Sequence, residues 1–171
     1  MQTSSLDIEF RLAAPEEWKI IQSIAYTTWP VAYGSLLPPA QLQYMLDLIY
    51  NEQSIRQQME KGQQFILACH TNESLGFASI EKQYKSSTSL MIHKLYVLPG
   101  FHGKGIGKAF LEYISGLATQ TAHDALILKV FFKNQNALRF YQQQGFRSIG
   151  EEETDFGNGY KVLDYIMTKN I

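Results

Sequence analysis

Residues 95–114 read LYVLPGFHGKGIGKAFLEYI: an apolar run, a Pro-Gly break, three alternating glycines and then an amphipathic helix. Glycine lowers helix stability by roughly 1 kcal/mol per interior position relative to alanine, so Gly103, Gly105 and Gly107 at a helix start need a cause. One is a tight strand-to-helix turn. The other is a ligand that the backbone must approach more closely than a Cβ allows, an anion taking up the free N–H donors of the helix N-terminus. Both place a strand, a turn and a helix in that order.

Along the chain, DIEFRLA (7–13) alternates apolar and polar residues as a half-buried strand does, and Pro15, Glu16 and Glu17 open a helix whose apolar face carries Trp18, Ile21, Ile24 and Ala25. Pro30, Pro38 and Pro39 interrupt the pattern. AQLQYMLDLIY and NEQSIRQQMEKG predict two further helices. QFILACH, SLGFASIEKQY and SLMIHKLYVL predict a three-strand antiparallel meander joined by short polar turns. After the glycine segment and its helix, to about Gln120, DALILKVF is almost continuously apolar, as a strand covered on both faces is. A helix over NALRFYQQQ stops at Gly145, and two strands close as a hairpin around GNG. The order strand, helices, three strands, helix, strand, helix, two strands predicts a mixed α+β sheet.

The 171 residues, 45% of them hydrophobic, suit one domain over 1–171. Fifteen Lys plus Arg against 16 Asp plus Glu leave a formal charge of -1, with no field to gather nucleic acid or an anionic membrane, so a small ligand is expected. Cys69 is the single cysteine and excludes an internal disulfide. The first residues show no basic stretch followed by an apolar one, and no segment reaches the roughly 20 apolar residues of a spanning helix. A cytoplasmic protein is expected.

The run His102, Gly103, Lys104, Gly105, Ile106, Gly107 resembles the hallmark of the GNAT superfamily of acetyl-CoA-dependent N-acetyltransferases: Arg or Gln, two residues, Gly, one residue, Gly or Ala. NQNALRFYQQQGF (134–146) is similar to the second segment of that family, in the expected order with a strand between. Motif likeness covers about 95–146 and element order 7–170. His102 stands where the family has Arg or Gln. The resemblance implies a GNAT-like, mostly antiparallel sheet of about seven strands flanked by helices, an acyltransferase, acetyl-CoA as co-substrate and no metal.

It also implies roles. The loop 102–108, with Lys104 and Lys108 as side-chain contacts, would hold the diphosphate; exposed lysines are equally ordinary at a helix start. Leu95, Tyr96 and Val97, on a strand that splays from its neighbour, would lend Leu95 and Val97 backbone groups to the pantetheine arm. Asn134 and Asn136 would lie near the coenzyme, or simply cap a helix. Tyr141 would protonate the leaving thiolate, against a plain packing role. Some members carry a glutamate as base where this chain has Met91. His93 shares strand parity with Leu95 and Val97 and is the candidate base, with Glu81 the weaker one.

On the acceptor side the chain is aromatic and acidic: Trp29, Tyr33, Tyr44, GEEETDF with Asp155, and Asp164. Carboxylates beside aromatic faces suit a small polycation, although a solvated acidic turn reads the same way. TDFGNGYKVLDYIMTK and YGSLLPPAQLQYML are similar to bacterial polyamine (spermidine or diamine) N-acetyltransferases. A peptide N-terminus, an aminoglycoside, and a non-catalytic acetyl-CoA sensor of the same fold stay open, as does homodimer formation through the last strands.

Overall fold

A computed structural model describes residues 6–171. Its centre is a seven-stranded sheet: β1 (Glu9–Leu12), β2 (Gln64–His70), β3 (Glu73–Glu81), β4 (Ser89–Val97), β5 (Ala125–Phe131), β6 (Arg147–Asp155) and β7 (Lys161–Asn170). Spatial order is β1-β2-β3-β4-β5-β7-β6, antiparallel throughout except for the parallel β4–β5 pair. The expected α+β sheet is therefore present.

Helices α1 (Trp18–Tyr33), α2 (Pro39–Tyr50) and α3 (Glu52–Glu60) cover one face, while α4 (Ile106–Gln120) and α5 (Gln135–Gln143) lie on the other. Period-2 alternation sorts the side chains. Ile66, Ala68, Ala78 and Ile80 pack towards α4, and Phe65, Leu67 and Phe77 pack towards α1–α3, so β2 and β3 are covered on both faces. Asn51 accepts the Ser54 N–H at the start of α3, and Asn134 accepts that of Ala137 at the start of α5.

Two expectations are corrected. Pro30 does not interrupt the chain: it sits exposed inside α1, where its missing N–H costs one hydrogen bond to the preceding turn. Strand β5 is not covered on both faces. Leu126, Leu128 and Val130 are buried under α4, but Ala125, Ile127, Lys129 and Phe131 are only half-buried.

Two irregularities in β4 shape the site. It pairs with β5 only over Ser89–Ile92, against Ala125–Leu128, after which the strands part. It also carries a bulge: Ile92 faces Ile80 and Lys94 faces Ser79, leaving His93 as the extra residue. The bulge swaps the faces. Leu90 and Ile92 before it, and Leu95 and Val97 after it, all pack in the α4 core, while Tyr96 turns to the α1–α3 core.

Candidate active site

Where β4 and β5 part, a cleft of about 720 Å³ opens between them, bounded by the glycine loop, α5 and the end of α1. A second cavity of about 500 Å³ lies on the α1–α3 side. Tyr33, His93, Lys94, Tyr96, Lys129 and Phe131 line both. The gap in the sheet thus joins a space beside the α4 N-terminus to a space beneath the N-terminal helices.

The glycine loop is explained by conformation and packing. Gly103 and Gly105 have φ of +75° and +79°, the left-handed region where a side chain is strained. A Cβ on either would meet no other protein atom within 4 Å, so the positive φ, and not packing within the chain, asks for glycine at these two positions. A Cβ on Gly107 would lie 3.2 Å from Phe140 Cζ, so this glycine lets α4 and α5 pack closely. No side chain caps α4, which leaves its first-turn N–H groups facing the cleft for an outside acceptor.

Among the expected cleft residues, Leu95, Tyr96, Val97, His102, Gly103, Gly105, Ile106, Gly107, Lys108, Asn134, Asn136 and Tyr141 do line it. Lys104 does not: its ammonium lies 5.1 Å over the Phe101 ring, outside the lining. Lys108 Nζ sits 3.8 Å from Glu112. Asn136 Oδ1 accepts from Arg139 at 2.8 Å. His102 takes a place the sequence did not reveal, its Nε2–H donating to the Val97 carbonyl at 2.7 Å. This bond ties the glycine loop to the end of β4 and engages one of the backbone groups expected to meet the pantetheine arm.

Tyr141 lines the cleft, and burial pushes its hydroxyl pKa up, so the group stays protonated. The Tyr33 and Tyr96 hydroxyls meet at 3.1 Å, and burial raises both. His93 lines both spaces, but not by the parity expected. As the bulged residue it leaves the Leu95/Val97 face, and its Nε2 lies 2.7 Å from Glu81 Oε2. Burial lowers its pKa, although the Glu81 hydrogen bond works in the opposite direction. Met91 is buried and apolar.

On the acceptor side, Trp29 and Tyr33 line the second cavity as expected. Asp155 does not. Thr154 and Phe156 turn towards the cavity, and alternation sends Asp155 outward, where it accepts the Gly157 N–H at 2.9 Å in the hairpin turn. Glu151 and Glu153 are exposed too, and Glu152 is ion-paired with Lys129, so the acidic run is largely a solvated turn. Asp164 does line the cavity, and burial pushes its carboxyl up to about 6, with Lys129 pulling down and Glu152 pushing up. In the sequence Lys94 is simply part of an apolar strand. It is a largely buried ammonium whose pKa desolvation lowers to about 7, and the one signal for it was a lysine inside an apolar run. Among the described residues, no three His, Cys, Asp or Glu side chains gather as metal ligands do. No described helix is long and apolar enough to cross a membrane.

Residues 18–146 match the Acetyltransferase (GNAT) family. An uncharacterized N-acetyltransferase of Mycobacterium tuberculosis is 26% identical over 152 residues, 88% of this chain and 96% of its own. A peptidyl-lysine N-acetyltransferase of Escherichia coli is 37% identical over 75 residues, 44% of each chain. The crystal structure of the PaiA N-acetyltransferase of Thermoplasma acidophilum in complex with coenzyme A has the same fold, with a TM-score of 0.80 at 20% identity over 97% of this chain and 100% of that one. The family match spans the glycine loop, the parted strands and α5 together, and the chain belongs to the GNAT family of N-acetyltransferases.

Proposed function

We propose that the protein transfers the acetyl group of acetyl-CoA to the primary amine of a small molecule by direct attack. The observation that carries this reading is the gap between β4 and β5, which joins the space at the α4 N-terminus to the second cavity, with His93 and Tyr33 lining both and Tyr141 lining the first.

The chain's own groups suit each part of the reaction. The uncapped first turn of α4 and the loop before it offer backbone N–H donors to a diphosphate. The free edge of β4 at Leu95 offers strand-type hydrogen bonds to the pantetheine amides, and its N–H groups are placed to polarise a thioester carbonyl. The amine nitrogen enters from the second cavity and attacks the carbonyl carbon. As the C–S bond breaks, the electron pair goes to sulfur and Tyr141 donates its hydroxyl hydrogen there, while the hydrogen shed by the attacking nitrogen as it becomes the amide returns to Tyr141 through solvent. An alkyl ammonium must first lose a proton. With the Nε2–H of His93 directed at Glu81, its Nδ1 lone pair is the acceptor, and the lowered pKa keeps the ring neutral at pH 7.

A small-molecule acceptor fits the 500 Å³ cavity. A polyamine is the finer reading that the sequence suggested, and Asp164 is the acid of that reading that faces the cavity. A peptide lysine is the second reading, supported by the partial similarity to the Escherichia coli peptidyl-lysine enzyme. Thiol release from acetyl-CoA with spermidine, putrescine, amino acids and a lysine peptide tests the proposal. Tyr141→Phe should lower kcat by about 10²-fold or more with coenzyme A affinity held within threefold. Coenzyme A binding without turnover on any amine would overturn it.

A further inference from the structure

The charged groups around the acceptor cavity are not all matched. His93 is bonded to Glu81, and Lys129 is ion-paired with Glu152. Lys94 and Asp164, which line the same cavity, make no ion pair with each other or with another described residue. They stand on β4 and β7, with β5 between them.

Lys94 is held in a neutral cradle. Its Nζ donates to Gln58 Oε1 at 2.6 Å and to Gln63 Oε1 at 2.9 Å, and lies 5.4 Å over the Phe65 ring. Both amide oxygens are fixed in that direction. Gln58 Nε2 is engaged by the Ile49 carbonyl and Ser54 Oγ, and Gln63 Oε1 also accepts from Ser79. Two of the three ammonium hydrogens are satisfied, and the charge itself has no counter-ion. Removing an ammonium from water without an anionic partner is costly, and burial accordingly holds its pKa down to about 7. On two other residues of this cavity, Trp29 Nε1 and the Tyr50 hydroxyl are buried with no hydrogen-bond partner among the described residues. The remaining lining mixes apolar side chains, Leu37, Phe131 and Phe156 among them, with the hydroxyls of Tyr33, Tyr96 and Thr154.

We propose that the acceptor carries a carboxylate beside its amine: an amino acid with an apolar side chain, its carboxylate on Lys94 and its amine on the Asp164 side. The inference rests on the acetyl-transfer reading above. The missing anion is then the substrate's own, in a charge-assisted hydrogen bond to the third hydrogen of Lys94. A polyamine would bring more positive charge to an unneutralised ammonium. A peptide lysine would bring an amine and no carboxylate.

The experiment compares acetylation of L-leucine and L-phenylalanine with that of leucinamide, phenylalaninamide and spermidine, and measures binding of N-acetyl-L-leucine to the coenzyme A-loaded protein by calorimetry. The amino acids should exceed their amides at least tenfold in kcat/KM, and Lys94→Met should bring that ratio close to one. Asp164→Asn is the second variant, and should raise KM for both members of each pair while keeping the amino acid preference. Amides or spermidine acetylated as well as the amino acids, or a ratio unchanged in Lys94→Met, overturns the inference and leaves acetyl transfer standing. Lys94-dependent binding of N-acetyl-L-leucine with no amine acetylated sinks the acetyl-transfer reading instead.

Discussion

Tyr33 on α1 and Tyr96 on the free length of β4 meet hydroxyl to hydroxyl at 3.1 Å, and both line the cleft and the acceptor cavity. The contact fixes the helical cover to the strand at the point where the two spaces join. Tyr33→Phe removes one partner and keeps the ring packing against Trp29. The expected loss is about 0.5–1.5 kcal/mol by urea denaturation, with a rise in KM for the amine larger than that for acetyl-CoA.

The His93–Glu81 pair predicts the shape of the acid limb. A base whose pKa is lowered by burial works until the pH falls below that value, so log kcat/KM should break below the ordinary histidine value of about 6.5. Glu81 raises the His93 pKa, so Glu81→Gln should move the break to lower pH. His93→Gln should abolish it and lower kcat. A break that stays in place in His93→Gln would remove His93 as the base.

The glycines should separate by cause. Gly105→Ala forces a side chain into the left-handed region, at roughly 1–2 kcal/mol, wherever the ligand is. Gly107→Ala meets the tip of Phe140, so Phe140→Leu in the same chain should restore stability and coenzyme A affinity. Thermal melts with and without coenzyme A distinguish the two. Rescue of Gly105→Ala by Phe140→Leu would contradict the assignment.

Asp164 gives a stability signature in the free protein. Its folded carboxyl titrates near 6 against 3.8 when unfolded, so the folded state holds the proton more tightly between these values. The stability it contributes is present below the unfolded pKa and is lost as the pH rises to about 6. Asp164→Asn removes that dependence. The variant should gain on the parent from pH 4 to pH 6 and hold a constant advantage above, about 1–2 kcal/mol once partial solvent exposure is allowed for. Urea midpoints at pH 4.5 and 7.5 test it, and an advantage that shrinks with pH would contradict it.

The order of elements, the glycine turn and the Tyr141 helix were legible because each depends on local chemistry: period-2 or period-3.6 patterning, glycine at positive φ, asparagine at a helix start. What the sequence hid depends on registry between distant segments. A bulge has no composition of its own, so simple parity put His93 on the wrong face. Asp155 looked like a substrate contact because the turn is acidic, but alternation from Phe156 sends it to water. Lys94 was hidden because its glutamine partners come from α3 and from the residue just before β2, both distant in the chain. Pro30 shows that a helix breaker on an exposed face is tolerated when the rest of the helix is anchored by Ile21, Ala25 and Trp29.

Strand β4 amounts to two reading frames spliced at one residue. Replacing His93 changes a side chain and leaves both frames intact. Deleting it closes the bulge into a single alternation in which Leu90, Ile92, Leu95 and Val97 keep their places under α4 and Lys94 and Tyr96 keep theirs towards the acceptor cavity. Position 93 should therefore tolerate substitution and deletion alike with the fold preserved, deletion removing the Glu81-bonded imidazole together with the bulge.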